Sequence, residues 1–171
     1  MTVFGKSLSE YVRFQKAFLG LILLVGLARL ALSLGGVSNS SAKWLSMSVL
    51  GMVGLVYYSI KAYTSGFGSY KQLLPLLGIQ SILANLISAL GVAIAIFTGK
   101  DNIFSAPEYS GGGDGKTWFH VGAHIVGGMI LFPLIAWLVG SVIMFVTKKV
   151  VPTDRSKLAP KDNGKAAAAG V

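Results

Sequence analysis

The 171-residue chain contains no cysteine. That excludes disulfides, thiolate metal centres and cysteine nucleophiles, and it leaves the redox state of its compartment unreadable. Charge is scarce too. Asp, Glu, Lys and Arg make up 12% of residues, where a water-soluble domain carries roughly a quarter. Acidic residues are rarer still, six against 15 basic ones, and none falls inside a long apolar run. A nucleophile elbow, a His-Glu-x-x-His zinc motif and a pair of intramembrane carboxylates are all missing. No catalytic constellation remains, so no enzymatic activity is expected.

What is present is apolar surface. Hydrophobic residues make up 53% of the chain and the mean hydropathy is +0.68. A run of roughly 18 or more such residues covers a hydrocarbon core of about 30 Å. Four runs reach that length, at residues 17–34, 44–60, 73–97 and 117–146. They predict an all-α integral membrane protein, a bundle of four transmembrane helices over residues 17–146. Residues 1–16 read as a basic segment able to form an interfacial helix. Residues 98–116 are the one long connection, and residues 147–171 a basic tail without the composition to bury a core. A basic start before an apolar run also describes a secretory signal, with Ala31 and Ser33 as small residues near a cleavage position. Three further spans favour an uncleaved first helix. Pro75 is placed in the first turn of span three, where a missing donor costs little. Pro133 falls near the middle of span four.

Orientation follows from Lys and Arg. Lys6, Arg13 and Lys16 precede span one, Lys61 and Lys71 lie between spans two and three, and six more basic residues follow span four. Only Lys43, Lys100 and Lys116 lie on the other side, offset by Asp101, Glu108 and Asp114. The positive-inside rule then predicts an N-in/C-in topology, both termini cytoplasmic. The expected location is a bacterial inner membrane. A net charge of +9 would suggest nucleic acid for a soluble protein, but here its segregation serves topology and no nucleic-acid partner is expected. The tail basics are read chiefly as an orientation signal, beside a weaker reading as an anchor for anionic lipid.

The polar residues inside the spans share a depth. At about 1.5 Å per residue, Arg29 lies ~18 Å into span one, a turn and a half from the outer surface. Asn85, Ser46, Ser48, His120 and His124 fall in the same layer. A functional reading makes this an outward-facing pocket in which Arg29 holds an anion, with Asn85 beside it, and the histidines move protons. A lipid headgroup, a quinone-like molecule or a small acid would suit it. The simpler and preferred reading is that Arg29 snorkels to the interface and the histidines are structural. His120 and His124, four residues apart, share a helix face and make a candidate metal pair. A zinc site needs a third ligand, for which Asp101, Glu108 and Asp114 are candidates, and one histidine would also suit a haem. Neither haem nor metal is favoured.

Small residues point to packing. Ala84, Ser88, Gly91 and Ala95 form a stripe on span three, Gly51 and Gly54 thin span two, and Gly122, Gly127 and Gly128 thin span four. Gly111 to Gly115 lacks P-loop spacing and reads as a flexible loop. Asn39-Ser40-Ser41 fits a glycosylation acceptor by pattern alone.

From residue 57 to 86 the order of features is aromatics closing a span, a Ser65/Gly66/Gly68/Ser69 turn, then Tyr70-Lys71-Gln72 leading into a Leu/Pro span. This stretch resembles part of the Yip1-type multi-span membrane domain. It departs from that family in having four spans rather than five and a long loop before the last. The resemblance implies a small non-enzymatic protein of membrane organisation or trafficking. The main expectation is accordingly an accessory subunit or membrane-organising component, partnered by the lipid bilayer and by other membrane subunits or its own copies. Two alternatives stand beside it. One is a cofactor- or ligand-binding subunit of a redox complex (haem, metal or quinone), and the other a small oligomeric transporter or channel.

Overall fold

The computed structural model of the chain describes residues 2–109 and 113–151. The expectations for a disordered tail beyond residue 151 and for glycines 111 and 112 of the glycine-rich stretch lie outside the described residues. Four helices are long and apolar enough to cross a membrane: Leu8–Leu34, Asn39–Thr64, Tyr70–Thr98 and Trp118–Val150. We label the regular elements α1 (Leu8–Leu34), α2 (Asn39–Ala42), α3 (Met47–Thr64), α4 (Tyr70–Thr98), α5 (Trp118–Ala123) and α6 (Phe132–Val150). A π-helical segment, His124–Leu131, joins α5 to α6.

The first helix begins at Leu8, ahead of the apolar run that starts at residue 17, because Ser7 and Glu10 form a capping box. The Glu10 carboxylate accepts the Ser7 backbone N–H at 2.7 Å, and Ser7 Oγ accepts the Glu10 N–H at 3.3 Å. Two donors that a helix start leaves unpaired are thereby filled. The segment expected to lie at the interface is therefore the first part of α1. Its buried residues Tyr11, Gln15, Leu19, Ile22, Gly26 and Leu30 recur every three or four positions, one continuous helical stripe. Before α1, Thr2–Val3 pairs antiparallel with Lys6–Ser7. Phe4 and Gly5, at φ 50° and 82°, make the turn with the two positive φ values that a two-residue hairpin requires. Tyr11 Oη donates to the Val3 carbonyl at 2.9 Å, and Gln72 Nε2 to the Phe4 carbonyl at 2.8 Å. The hairpin is thus tied over the bundle end that carries both helix termini.

α4 is the central helix: 39% of its most apolar window is buried, against 22% for each of the other three spans. It starts at Tyr70, so Pro75 sits inside the helix, in its second turn rather than its first. Two apolar cores lie along it. One, at the termini end, joins Tyr11, Ala62, Leu73, Leu76, Ala136 and Met144. The other, at the loop end, joins Leu19, Ile22, Ile87, Val92, Ile103 and Phe104. The outward faces stay apolar, with Leu24, Met52 and Val142 all more than 60% exposed. Faces of that kind suit hydrocarbon and not water. Aromatic rings ring both ends. At the termini end Lys61 lies 5.0 Å from the Tyr57 ring centre, and Lys148 lies 3.9 Å from that of Tyr70. At the loop end Trp44 and Phe97 are exposed and Trp118 meets Phe97 edge-on.

Candidate functional site: two clefts at the loop end

α3 packs along α6 but diverges from the π-helical segment, and α4 floors the gap. The result is a cavity of about 500 Å³ whose polar lining includes Ser48, Gln80, Ser81, Asn85, Ser88 and His124. A proline follows this segment. In the π register the Phe132 N–H reaches back to the Gly127 carbonyl. The next residue, Pro133, has no N–H to give the following carbonyl, that of Gly128. Ser81 Oγ supplies the donor from α4, at 2.6 Å. Gly128 also needs its missing side chain, since a Cβ there would overlap the Asn85 amide.

Asn85 Nδ2 donates to the Ser81 carbonyl at 3.0 Å, so its Oδ1 faces His124 as an acceptor. His124 Nδ1 donates to it at 3.0 Å. His120 Nδ1 donates to the Gly115 carbonyl at 2.9 Å. The two imidazoles stack, with ring centres 5.0 Å apart and planes at 23°. Each therefore donates from Nδ1, and its Nε2 has no partner among the described residues. That is the orientation in which a carbonyl behind a histidine prepares it as a ligand. No group of three or more His, Asp or Glu side chains able to hold a metal occurs among the described residues. The suggested third ligands are engaged elsewhere: Asp101 and Asp114 with Lys116 at 2.8 and 3.6 Å, and Glu108 with Asn39 Nδ2 at 2.9 Å.

Arg29 does not join this group. It lies on the other side of α3, in a second, wide-mouthed cleft of about 790 Å³ between α1 and α3. Its guanidinium carbon stands 5.4 Å from the Phe104 ring centre and 5.9 Å from that of Tyr109, and Nη1 donates to the Leu45 carbonyl at 3.4 Å. The single polar pocket expected from shared depth is thus two sites, because depth along a helix says nothing about which way a side chain points. Asn85, His120 and His124 come together, and Arg29 stands apart.

The long connection is folded inward over residues 102–106, all buried. Asn102 Nδ2 donates to the Gly91 carbonyl at 2.7 Å, and the Ile103 N–H donates to Ser33 Oγ at 2.8 Å. Ser33 Oγ in turn donates to Asn39 Oδ1 at 3.3 Å. The Asn39 bond holds the Glu108 carboxyl below its ordinary pKa. Lys116 is held above its usual pKa, first by its hydrogen bond to Asp101. Asn39, the patterned glycosylation position, is therefore a structural clamp whose amide is already engaged.

The small residues divide in the same way. A Cβ at Gly54 would meet Phe18 and Gln80 at 2.5 Å, and one at Gly91 would meet the Phe104 ring at 2.5 Å. The Gly91 face of the Ala84, Ser88, Gly91, Ala95 stripe is thus occupied by the chain's own loop rather than by another helix. Gly51 and Gly127 have nothing within 4 Å of the added Cβ and line the first cavity. Sequence reading missed Gly26, Gly140 and Ser81, and also the buried pair in which Gln80 Nε2 donates to Gln15 Oε1 at 2.8 Å. Ser81 and Gln80 carried a usable signal, since each is a polar residue inside an apolar run. No protein-family model, curated protein or solved structure matches this chain.

Proposed function

We propose that this chain is a multi-pass integral membrane protein, with both termini cytoplasmic, that acts as a non-enzymatic accessory or membrane-organising subunit. It does so by receiving a partner's transmembrane helix in the cleft between α3 and the π-helical segment. The observation that carries this reading is the cleft itself. Gly51 and Gly127 thin its walls with nothing packed against them, and Ala84 and Ser88 lie on its floor. Small residues of this kind let helices approach closely in lipid, and Ser, Asn and His side chains add interhelical hydrogen bonds. Exposed Met52 and Phe132 border the cleft, so it is reached from the side. The charge asymmetry between the two ends supports the orientation, and the Yip1-like stretch at residues 57–86 implies the same class of role. A photo-crosslinking amino acid at Met52 tests it in the native membrane. A discrete protein adduct there, and none from a control at lipid-facing Leu24, is the expected result. Lipid adducts alone at both positions would end the partner reading.

A second reading has one specific observation in its favour. His120 and His124 both present an unclaimed Nε2 with Nδ1 held from behind, the posture of a haem or metal ligand. Protein purified from its own membrane should then carry a bound metal or a haem absorbance that the His120→Ala/His124→Ala variant loses. Wild-type protein free of both would remove this reading.

A further inference from the structure

The second cleft combines features that the accessory role does not use. Arg29 and Lys43 line it, and no acidic residue does among the described residues. The three acids of this end are committed elsewhere, Asp101 and Asp114 to Lys116 and Glu108 to Asn39. The Arg29 Nε is buried and has no hydrogen-bond partner among the described residues. A buried donor on a cation left unpaired is costly, and an anionic oxygen relieves that cost. The cleft also meets the start of α3. Ser46 Oγ takes the Val49 N–H at 3.3 Å, and the backbone donor of Ser48, which lines the cleft, has no partner within the helix. Two side-chain cations and a helix N-terminus therefore share one wall-to-wall space. Below them the lining turns apolar with Val25, Leu50 and Val53. At its mouth stands Trp44, 83% exposed, the residue type that settles at headgroup level.

We propose that this cleft binds the phosphodiester headgroup of an anionic phospholipid, with Arg29 and Lys43 on the phosphate and an acyl chain along Val25, Leu50 and Val53. A free phosphate shares the headgroup chemistry but has no use for the apolar half, which is why a lipid is favoured. An anionic headgroup is favoured over a zwitterionic one because, among the described residues, no carboxylate lines the cleft to receive a headgroup cation.

Native mass spectrometry of the full chain tests this, with phosphatidylglycerol and phosphatidylcholine of identical acyl chains added in turn. Wild-type protein should retain phosphatidylglycerol in preference. Arg29→Gln and Lys43→Gln should each lower that retention about fivefold, the share of one basic residue near a membrane surface. Arg29→Lys should keep most of it. Lys43 is exposed, so its variant folds and reads out binding even where Arg29→Gln does not fold. Equal retention of the two lipids, or a preference that survives both Gln variants, would overturn the proposal. Displacement of bound phosphatidylglycerol by millimolar inorganic phosphate would assign the site to a soluble anion and overturn the lipid reading as well.

Discussion

Two adjacent glycines of the π-helical segment have opposite surroundings, which makes them a sharp test at the scale of single residues. A methyl group at Gly128 collides with the Asn85 amide, whereas one at Gly127 meets open space. Overpacking of a well-filled site typically costs about 1–3 kcal/mol. Gly128→Ala should therefore destabilise the protein by that amount and separate Asn85 from His124, visible as a shift of the His124 ring resonances. Gly127→Ala should stay within ~0.5 kcal/mol of wild type in the same detergent unfolding assay. Similar losses for both would mean that the register of the π-helical segment differs from that described. Ser81 supplies another residue-scale test. Its hydroxyl fills the Gly128 carbonyl at 2.6 Å, and side-chain hydrogen bonds between membrane helices are worth about 0.6 kcal/mol on average and up to ~1.7. Ser81→Ala should cost ~1 kcal/mol, and a neutral result would leave that carbonyl satisfied by other means.

The same bond explains how an element tolerates a proline. In the π register Pro133 would be the residue facing the Gly128 carbonyl, and it lacks the donor. With Pro133→Ala an N–H becomes available, so the cost of Ser81→Ala should shrink in that background. A double-mutant cycle reads this coupling directly. Strict additivity would show that the hydroxyl and the proline act independently. The inward-folded loop is a second element with a testable hinge, the Asn39–Glu108 bond at 2.9 Å. Because the Glu108 pKa in the folded protein lies below its ordinary value of 4.5, its contribution is fully present above that pH. It is lost as pH falls through the lower, folded value. Exchange of the Ile103 amide, taken relative to its intrinsic rate, should accelerate between pH 6 and pH 3 in wild type. The change should be absent in Glu108→Gln. A pH-independent ratio in wild type would show that the apolar contacts of Phe104 hold the loop unaided.

For the whole molecule, the proposed topology is testable without removing any native thiol, since the chain has no cysteine. Single cysteines at Ser40 or Gly113 should react with a membrane-impermeant maleimide from outside intact cells, and cysteines at Gly5 or Phe67 only after lysis. The opposite pattern would invert the orientation and place both clefts in the cytoplasmic leaflet. Labelling of all four before lysis would count against a membrane-spanning bundle.

The number of long helices and their apolar character were legible from composition and run length. These properties depend on the solvent around a helix, and each helix carries them independently of its neighbours. The continuity of α1 from Leu8 into the apolar run was not legible, because its capping box lies in a polar stretch that run length does not register. Azimuth was beyond sequence reading: Arg29 and His124 line different clefts on opposite sides of α3, and Gly51 and Gly127 face space while Gly54 and Gly128 face side chains. Residues 102–106 looked like loop because they are short and mixed, yet they fill the gap between α1 and α4. Run length by itself determined the number of long apolar helices, and charge placement the orientation expected of them. Only the tertiary structure decided which residues meet, because contacts between helices depend on rotation and crossing, and neither leaves a trace in the hydropathy of a single run.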